Sequence, residues 1–486
     1  IYFRHLYFQN CTEKNVKPVF INRLNNFKDR FKRSFSLFAG RILTEKIENN
    51  MGKGVSKMRL KDFIGCFIFC ACLVLPCFAV NAAGVTNYSS FISADYWVKN
   101  NPAGEQVILD AAGVAAYNKK IADKSPSVYD LKAYPQTLAG NTVKGYVSGY
   151  DVLNDPLFRL GKEVSQNYKN ILIKETNTDK IPAQVNVRYG VTVRRSNLRV
   201  LPTNEGLFYY PTDNNFDALQ ETAVAVSEPL IILHQSANGF FYYVQSYNYR
   251  GWISRFDVAV CGRDAWLKYV EPQNFLVVTG QSFNVKVPGE SVYCDEGTRL
   301  QLVTEGSSIY TVKMPIRAQN GTLQEVNSNV VKNAALHKGY LPYTANNVLR
   351  GAFKYYNAPY SWGGAHKGID DASFIANVYR TMGIFLPRNA DEQENTSGSA
   401  VKFAGMTSDQ RLEAIKKLTT GSCLYMDGYA VMYVGTSSNV PYAIHALATH
   451  YTGGVRHTEM RVVVSDLELQ RANGGRFLDE FNTAMT

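Results

Sequence analysis

The sequence predicts a multidomain fold: a helical N-terminal segment, two small all-β barrels in tandem, and a C-terminal α+β domain. Three observations lead there. The chain has 486 residues, enough for roughly three or four domains. Its hydrophobic content of 45%, with 31 Tyr and 26 Phe, suits packed cores and strands. The apolar pattern also changes twice, from helical spacing to short alternating runs near Gln184, and back towards helix after Asn333.

The first 83 residues read as targeting and processing sequence. Met58-Arg59-Leu60-Lys61 is a short basic start, residues 63–80 run apolar without a charge, and Asn81-Ala82-Ala83 supplies small residues for cleavage. That order is a secretory signal peptide (58–83), with retention of residues 63–80 as a membrane anchor the alternative. Residues 1–50 contain no Met, and Met51 and Met58 both suit a start, so 1–57 is expected to be a leader or upstream extension. The protein is therefore expected to be exported, to a periplasm or cell surface.

From 84 to 183 the chain is a helical stabilising segment. A helix is expected over 105–122, with Val107, Ile108, Ala111, Ala112, Val114 and Ala115 at helical spacing. A first barrel occupies 184–260, with strands around Val185, Val191, Leu230 to Leu233, and Phe240 to Val244. A second, 261–335, has strands around Phe275, Val285, Leu300 and Tyr310. The α+β unit runs over 336–486. Phe374, Ile375, Val378, Tyr379 and Met382 give it a helix starting near Asp370.

Charge and cysteine usage narrow the function classes. Residues 1–62 carry 14 Lys or Arg against 5 Asp or Glu, while the remainder carries 38 against 36. The body is nearly neutral and offers no case for nucleic acid. Only Cys261, Cys294 and Cys423 lie beyond residue 84, so there is no disulfide framework. A Cys261–Cys294 pair and two ordinary buried thiols both remain open.

Three segments of the first barrel, taken in order, resemble a bacterial SH3 domain. They are Tyr189-Gly190-Val191, Asn197-Leu198-Arg199, and Tyr249-Arg250-Gly251-Trp252. The C-terminal unit resembles the NlpC/P60 family of papain-like cysteine peptidases that cut peptidoglycan stem peptides. The matching run is Tyr360-Ser361-Trp362-Gly363-Gly364, Asp370, Val378-Tyr379-Arg380, Gly383, Leu386-Pro387-Arg388 and Gln393. The whole arrangement is similar to γ-D-glutamyl-L-diamino acid endopeptidases with tandem SH3 domains.

The resemblance implies a cysteine at the head of the helix, where free backbone N–H groups and the helix dipole favour a thiolate. It implies a histidine on a following strand and a third polar residue behind it. This chain departs at two of the three positions. The family's Asp-Cys-Ser reads Asp370-Asp371-Ala372, the Gly-His reads Gly428-Tyr429, and His445 keeps the third position. Tyr360, Trp362, Asp370 and Arg388 are the substrate-binding candidates the resemblance suggests. Packing is the alternative role for Tyr360 and Trp362, helix capping for Asp370 and anchoring of the chain for Arg388.

Asp371, with an ordinary pKa near 3.9, is expected to be ionised and a poor nucleophile towards an amide. Tyr429, with an ordinary pKa near 10, would be a poor base. Loss of such a unit costs ~10⁴–10⁶ in rate. The leading expectation is a catalytically inactive protein that binds peptidoglycan stem peptides, muropeptides or a cell-wall protein partner, with no cofactor and no metal. Two alternatives stand beside it: a hydrolase using Asp371 with His445, and a surface interaction protein with no muropeptide ligand.

Overall fold

Residues 84–396 and 398–485 are described by the computed structural model; the leader and the apolar run expected over 1–83 lie outside them. No helix among the described residues is long and apolar enough to cross a membrane.

In the N-terminal segment the main helix, α1 (Ala111–Lys124), starts later than its spacing suggests. Asp110 caps it, its carboxylate accepting the Gly113 N–H at 2.8 Å. Val107 and Ile108 fall before the cap and are exposed. The inward face runs instead through Val114, Tyr117 and Ile121, which pack with the C-terminal domain. Farther along, Leu131, Val143, Val147 and Ile181 pack against the first barrel. The segment thus packs against both the C-terminal domain and the first barrel.

The first barrel is a seven-stranded antiparallel sheet: β1 (Arg188–Thr192), β2 (Ser196–Arg199), β3 (Gln220–Val224), β4 (Pro229–Gln235), β5 (Phe241–Gln245), β6 (Arg250–Ser254) and β7 (Val258–Cys261). They lie in the order β7-β1-β4-β5-β6-β2-β3. The unbroken apolar run Leu230-Ile231-Ile232-Leu233 follows from burial on both faces. Leu230 and Ile232 join one core with Leu198, Val244 and Ile253. Ile231 and Leu233 join the other, with the N-terminal segment and Trp266. Trp266 belongs to a helix that the residue pattern did not announce, α2 (Arg263–Val270), which packs beside Tyr189 of β1.

The second barrel comprises a five-stranded sheet and the hairpin of Ser282–Val287 with Glu290–Asp295. Strand Leu336–Lys338 closes it against Phe275–Val278, just past the expected boundary at 335. Its core holds Leu276, Val285, Cys294, Leu300, Val312 and Met314. Cys261, Cys294 and Cys423 are all free thiols, so the pairing of the first two does not form.

The C-terminal domain is a six-stranded antiparallel sheet with helices on it. Four of its elements matter below: helix α3 (Asp371–Arg380) and strands β8 (Cys423–Met426), β9 (Tyr429–Ser437) and β10 (Val440–Thr452). Side chains alternate across the strands. Ala430, Met432 and Val434 of β9 pack with Phe374, Ile375 and Val378 of α3. Tyr429, Val431 and Tyr433 fall in a separate core with Leu424, Leu469 and Phe477.

Candidate functional site

The site forms where the head of α3 meets β9 and the rim of the first barrel. Asp370 is the N-cap: one of its oxygens accepts the Ser373 N–H at 2.9 Å and the other accepts from the Arg388 guanidinium. Both partners of that ion pair are buried. Arg388 also reaches Thr222 and the Glu221 carbonyl on the barrel. It therefore clamps the helix cap and the barrel rim together, with its donors directed at protein groups.

Asp371 is the first residue of the helix and is half-buried. Its carboxylate accepts the backbone N–H of Ala430 at 2.9 Å. Burial and the neighbouring Asp370 charge push its pKa up to about 7, against the pull of that hydrogen bond and of Arg388. The residue pattern alone suggested an ionised group favoured by the helix terminus. Desolvation and the adjacent carboxylate outweigh the dipole, so the acid is poised near neutrality.

Tyr429 and His445 form a second unit. The Tyr429 hydroxyl lies 2.7 Å from His445 Nδ1 and 2.8 Å from the Ala446 carbonyl, while His445 Nε2 lies 2.9 Å from Ser465 Oγ. One proton arrangement satisfies every group: Ser465 donates to Nε2, Nδ1–H donates to Tyr429, and Tyr429 donates to the carbonyl. His445 has no exposed surface, and burial drives its pKa down to about 3, so the ring is neutral. Tyr429 packs edge-on against Phe477 in the core that excludes α3, and the His445 ring lies tilted against the same Phe477. The phenol is thus held by a buried network, while Asp371 meets β9 through the main chain of the next residue.

Tyr360 and Trp362 stand opposite the barrel rim. Phe216 packs against both, with ring centres 6.2 and 6.1 Å away. The Trp362 indole donates to the Gln220 carbonyl at 3.2 Å, and the Gln220 amide donates to the Gly363 carbonyl at 2.9 Å. Gly363 sits at φ +60°, with the space for a Cβ only 2.6 Å from Gln220 Cγ, so glycine is required there twice over. Farther along the rim the Tyr249 hydroxyl donates to the Glu221 carboxylate.

The barrel wall built by Phe216, Gln220, Glu221, Thr222 and Tyr249 was not legible as part of the site. Tyr249 lay inside a recognised barrel segment, and nothing in its spacing said which side it would face. Cys423 does not substitute for a helix-head thiol. It is buried beside Tyr379, two turns down α3, and burial pushes it up to about 12. His366 is exposed on the loop before the helix. Among the described residues no group of three His, Cys, Asp or Glu side chains converges as metal ligands.

Comparison with known proteins fits this geometry. Residues 357–455 match the NlpC/P60 family, and residues 207–254 match an SH3 domain of the SH3b1 type. The fold is similar to that of an NlpC/P60 endopeptidase from Photobacterium damselae subsp. piscicida. The TM-score is 0.65 at 16% identity, over 78% of this chain and 94% of that one. An NlpC/P60 family protein from Bacillus cereus aligns over 55% of this chain and 82% of its own, at 17% identity and a TM-score of 0.40. No match was found among curated proteins.

Proposed function

From the premise of an NlpC/P60 domain behind an SH3 domain, which makes this a peptidoglycan-related, peptidase-type protein, we propose an exported cell-wall binder that has lost thiolate chemistry. Its ligands are peptidoglycan stem peptides, held between the head of α3 and the barrel rim. One observation carries the reading. The helix head presents a carboxylate tied to the Ala430 N–H, where the resemblance places a cysteine. A thiolate attack on an amide has no sulfur to begin from. The phenol at the base position is committed to His445 and Ala446, which removes it as a ready proton acceptor.

A second reading is favoured by the raised pKa of Asp371. A carboxyl group titrating near 7 suits general acid–base work, so hydrolysis by an unusual route has a physical starting point. A zymogram on purified cell wall separates the two. The binder reading expects no clearing by the wild-type protein. Release of peptides that is abolished by Asp371→Ala would establish the hydrolase instead.

A further inference from the structure

The loop that carries Trp362 to the head of α3 follows an unfavourable course. Gly363, Gly364, His366 and Lys367 all have φ between +53° and +66°. His366 and Lys367 carry a Cβ, which disfavours that region, and both are exposed, so neither gains burial in exchange. Such a backbone persists where its surroundings over-determine it. The Gln220 contacts fix Trp362 and Gly363 at the start of the loop.

The remainder is tied through Arg195, in the turn between β1 and β2. Its Nε donates to both oxygens of Asp295, at 2.9 and 3.1 Å, and its Nη2 donates to the Gly368 carbonyl at 3.3 Å. Asp295 ends the hairpin of the second barrel. The two side chains are 12% and 15% exposed, so solvent screens the pair little. Gly364 rests on the same guanidinium: a Cβ there would stand 3.1 Å from Nη2. The hairpin makes a second contact with the loop, since Lys367 Nζ lies 5.0 Å from the centre of the Tyr293 ring.

We propose that Arg195 is a positioning residue of the candidate site: seated by Asp295 of the second barrel, it holds loop 361–368 in its left-handed course and so sets the place of Trp362. The second barrel thereby acts on the site through one side chain. A planar fork suits the task, because one N–H meets the carboxylate while another meets the Gly368 carbonyl. A lysine ammonium on a flexible stem cannot hold both in the same geometry. The consequence for a ligand rests on the reading of the site as a binding cleft, but the positioning itself does not.

Tryptophan fluorescence isolates the loop. Of the four Trp residues, Trp97, Trp252 and Trp266 are buried and Trp362 is half-buried. In acrylamide quenching of the full chain, Trp362→Phe should remove the readily quenched component. Arg195→Met and Asp295→Asn are each expected to raise the quenching constant of that component by ~2-fold or more. In the same variants, hydrogen exchange should quicken at the Gly364 and Gly368 amides, which are bonded to the Ser361 and Ala365 carbonyls. Arg195→Lys should restore the wild-type values only in part. Lys119→Met, which removes an exposed ion pair on α1, should change neither reading. Unaltered quenching and exchange in folded Arg195→Met and Asp295→Asn would overturn the proposal, as would an equal response from Lys119→Met. Neither reading needs a ligand, so this failure is distinct from a failure to bind muropeptide.

Discussion

The Asp371 carboxylate accepts a 2.9 Å hydrogen bond from the main-chain N–H of Ala430, joining the first residue of α3 to β9. The contact places an acid, half-buried and beside a second acid, at the point where the two elements meet. Burial and the Asp370 charge at that point push its pKa up to about 7, against the pull of the Ala430 hydrogen bond.

The first prediction concerns pH. The folded-state pKa of Asp371 is raised to about 7 from an ordinary value of 3.8, so the folded protein holds a proton that the unfolded chain releases. Its stabilising contribution is full below about pH 4 and is lost as pH rises through about 7. Asp371→Asn should flatten that part of the profile. Thermal melts of both proteins between pH 4 and pH 8 check it, and identical slopes would count against the raised pKa.

His445 works in the opposite sense. Its folded pKa is depressed to about 3, so its contribution is present above about 6.5 and is lost as pH falls towards 3. His445→Asn should reduce acid sensitivity below pH 6 while lowering stability at pH 8. Urea titrations at the two pH values measure both effects.

Tyr429→Phe keeps the ring but removes the hydroxyl, leaving His445 Nδ1 and the Ala446 carbonyl without that partner. The expected loss is about 1–3 kcal/mol of stability, with ligand binding at the helix head retained. A change of less than half that, read from denaturant midpoints, would show that the network contributes little.

Arg388→Met strands a buried Asp370 and cuts the link to Thr222. The loss should be ~3–5 kcal/mol, and Asp370→Asn added to it should cost far less than the sum of the two single changes. A double-mutant cycle on unfolding free energies gives the coupling directly. Additive effects would mean the two side chains do not act as a pair.

Much of this architecture was legible in the residues. The apolar spacing of Phe374, Ile375 and Val378 announced α3, and Asp370 proved to be its cap. Most of the barrel strands fell where alternating apolar runs lay. What escaped the sequence depends on long-range packing. The start of α1 departs from its apolar spacing because Asp110 caps the helix, leaving Val107 and Ile108 outside it. Helix α2 was hidden because Trp266 and Tyr269 pack on strands of the preceding barrel, among them β1, β4 and β5, and not on their own neighbours along the chain. The protonation of Asp371 could not be read from an isolated pKa, since burial and Asp370 set it. Alternation along β9 separates Tyr429 from Ala430, but only the fold says which of them faces α3.

The most direct test of the central claim is to titrate the full chain with a soluble muropeptide carrying its stem peptide, then recover the ligand for mass spectrometry. The account predicts saturable binding and a ligand of unchanged mass after prolonged incubation. A cleaved stem peptide would contradict it, as would the absence of any binding.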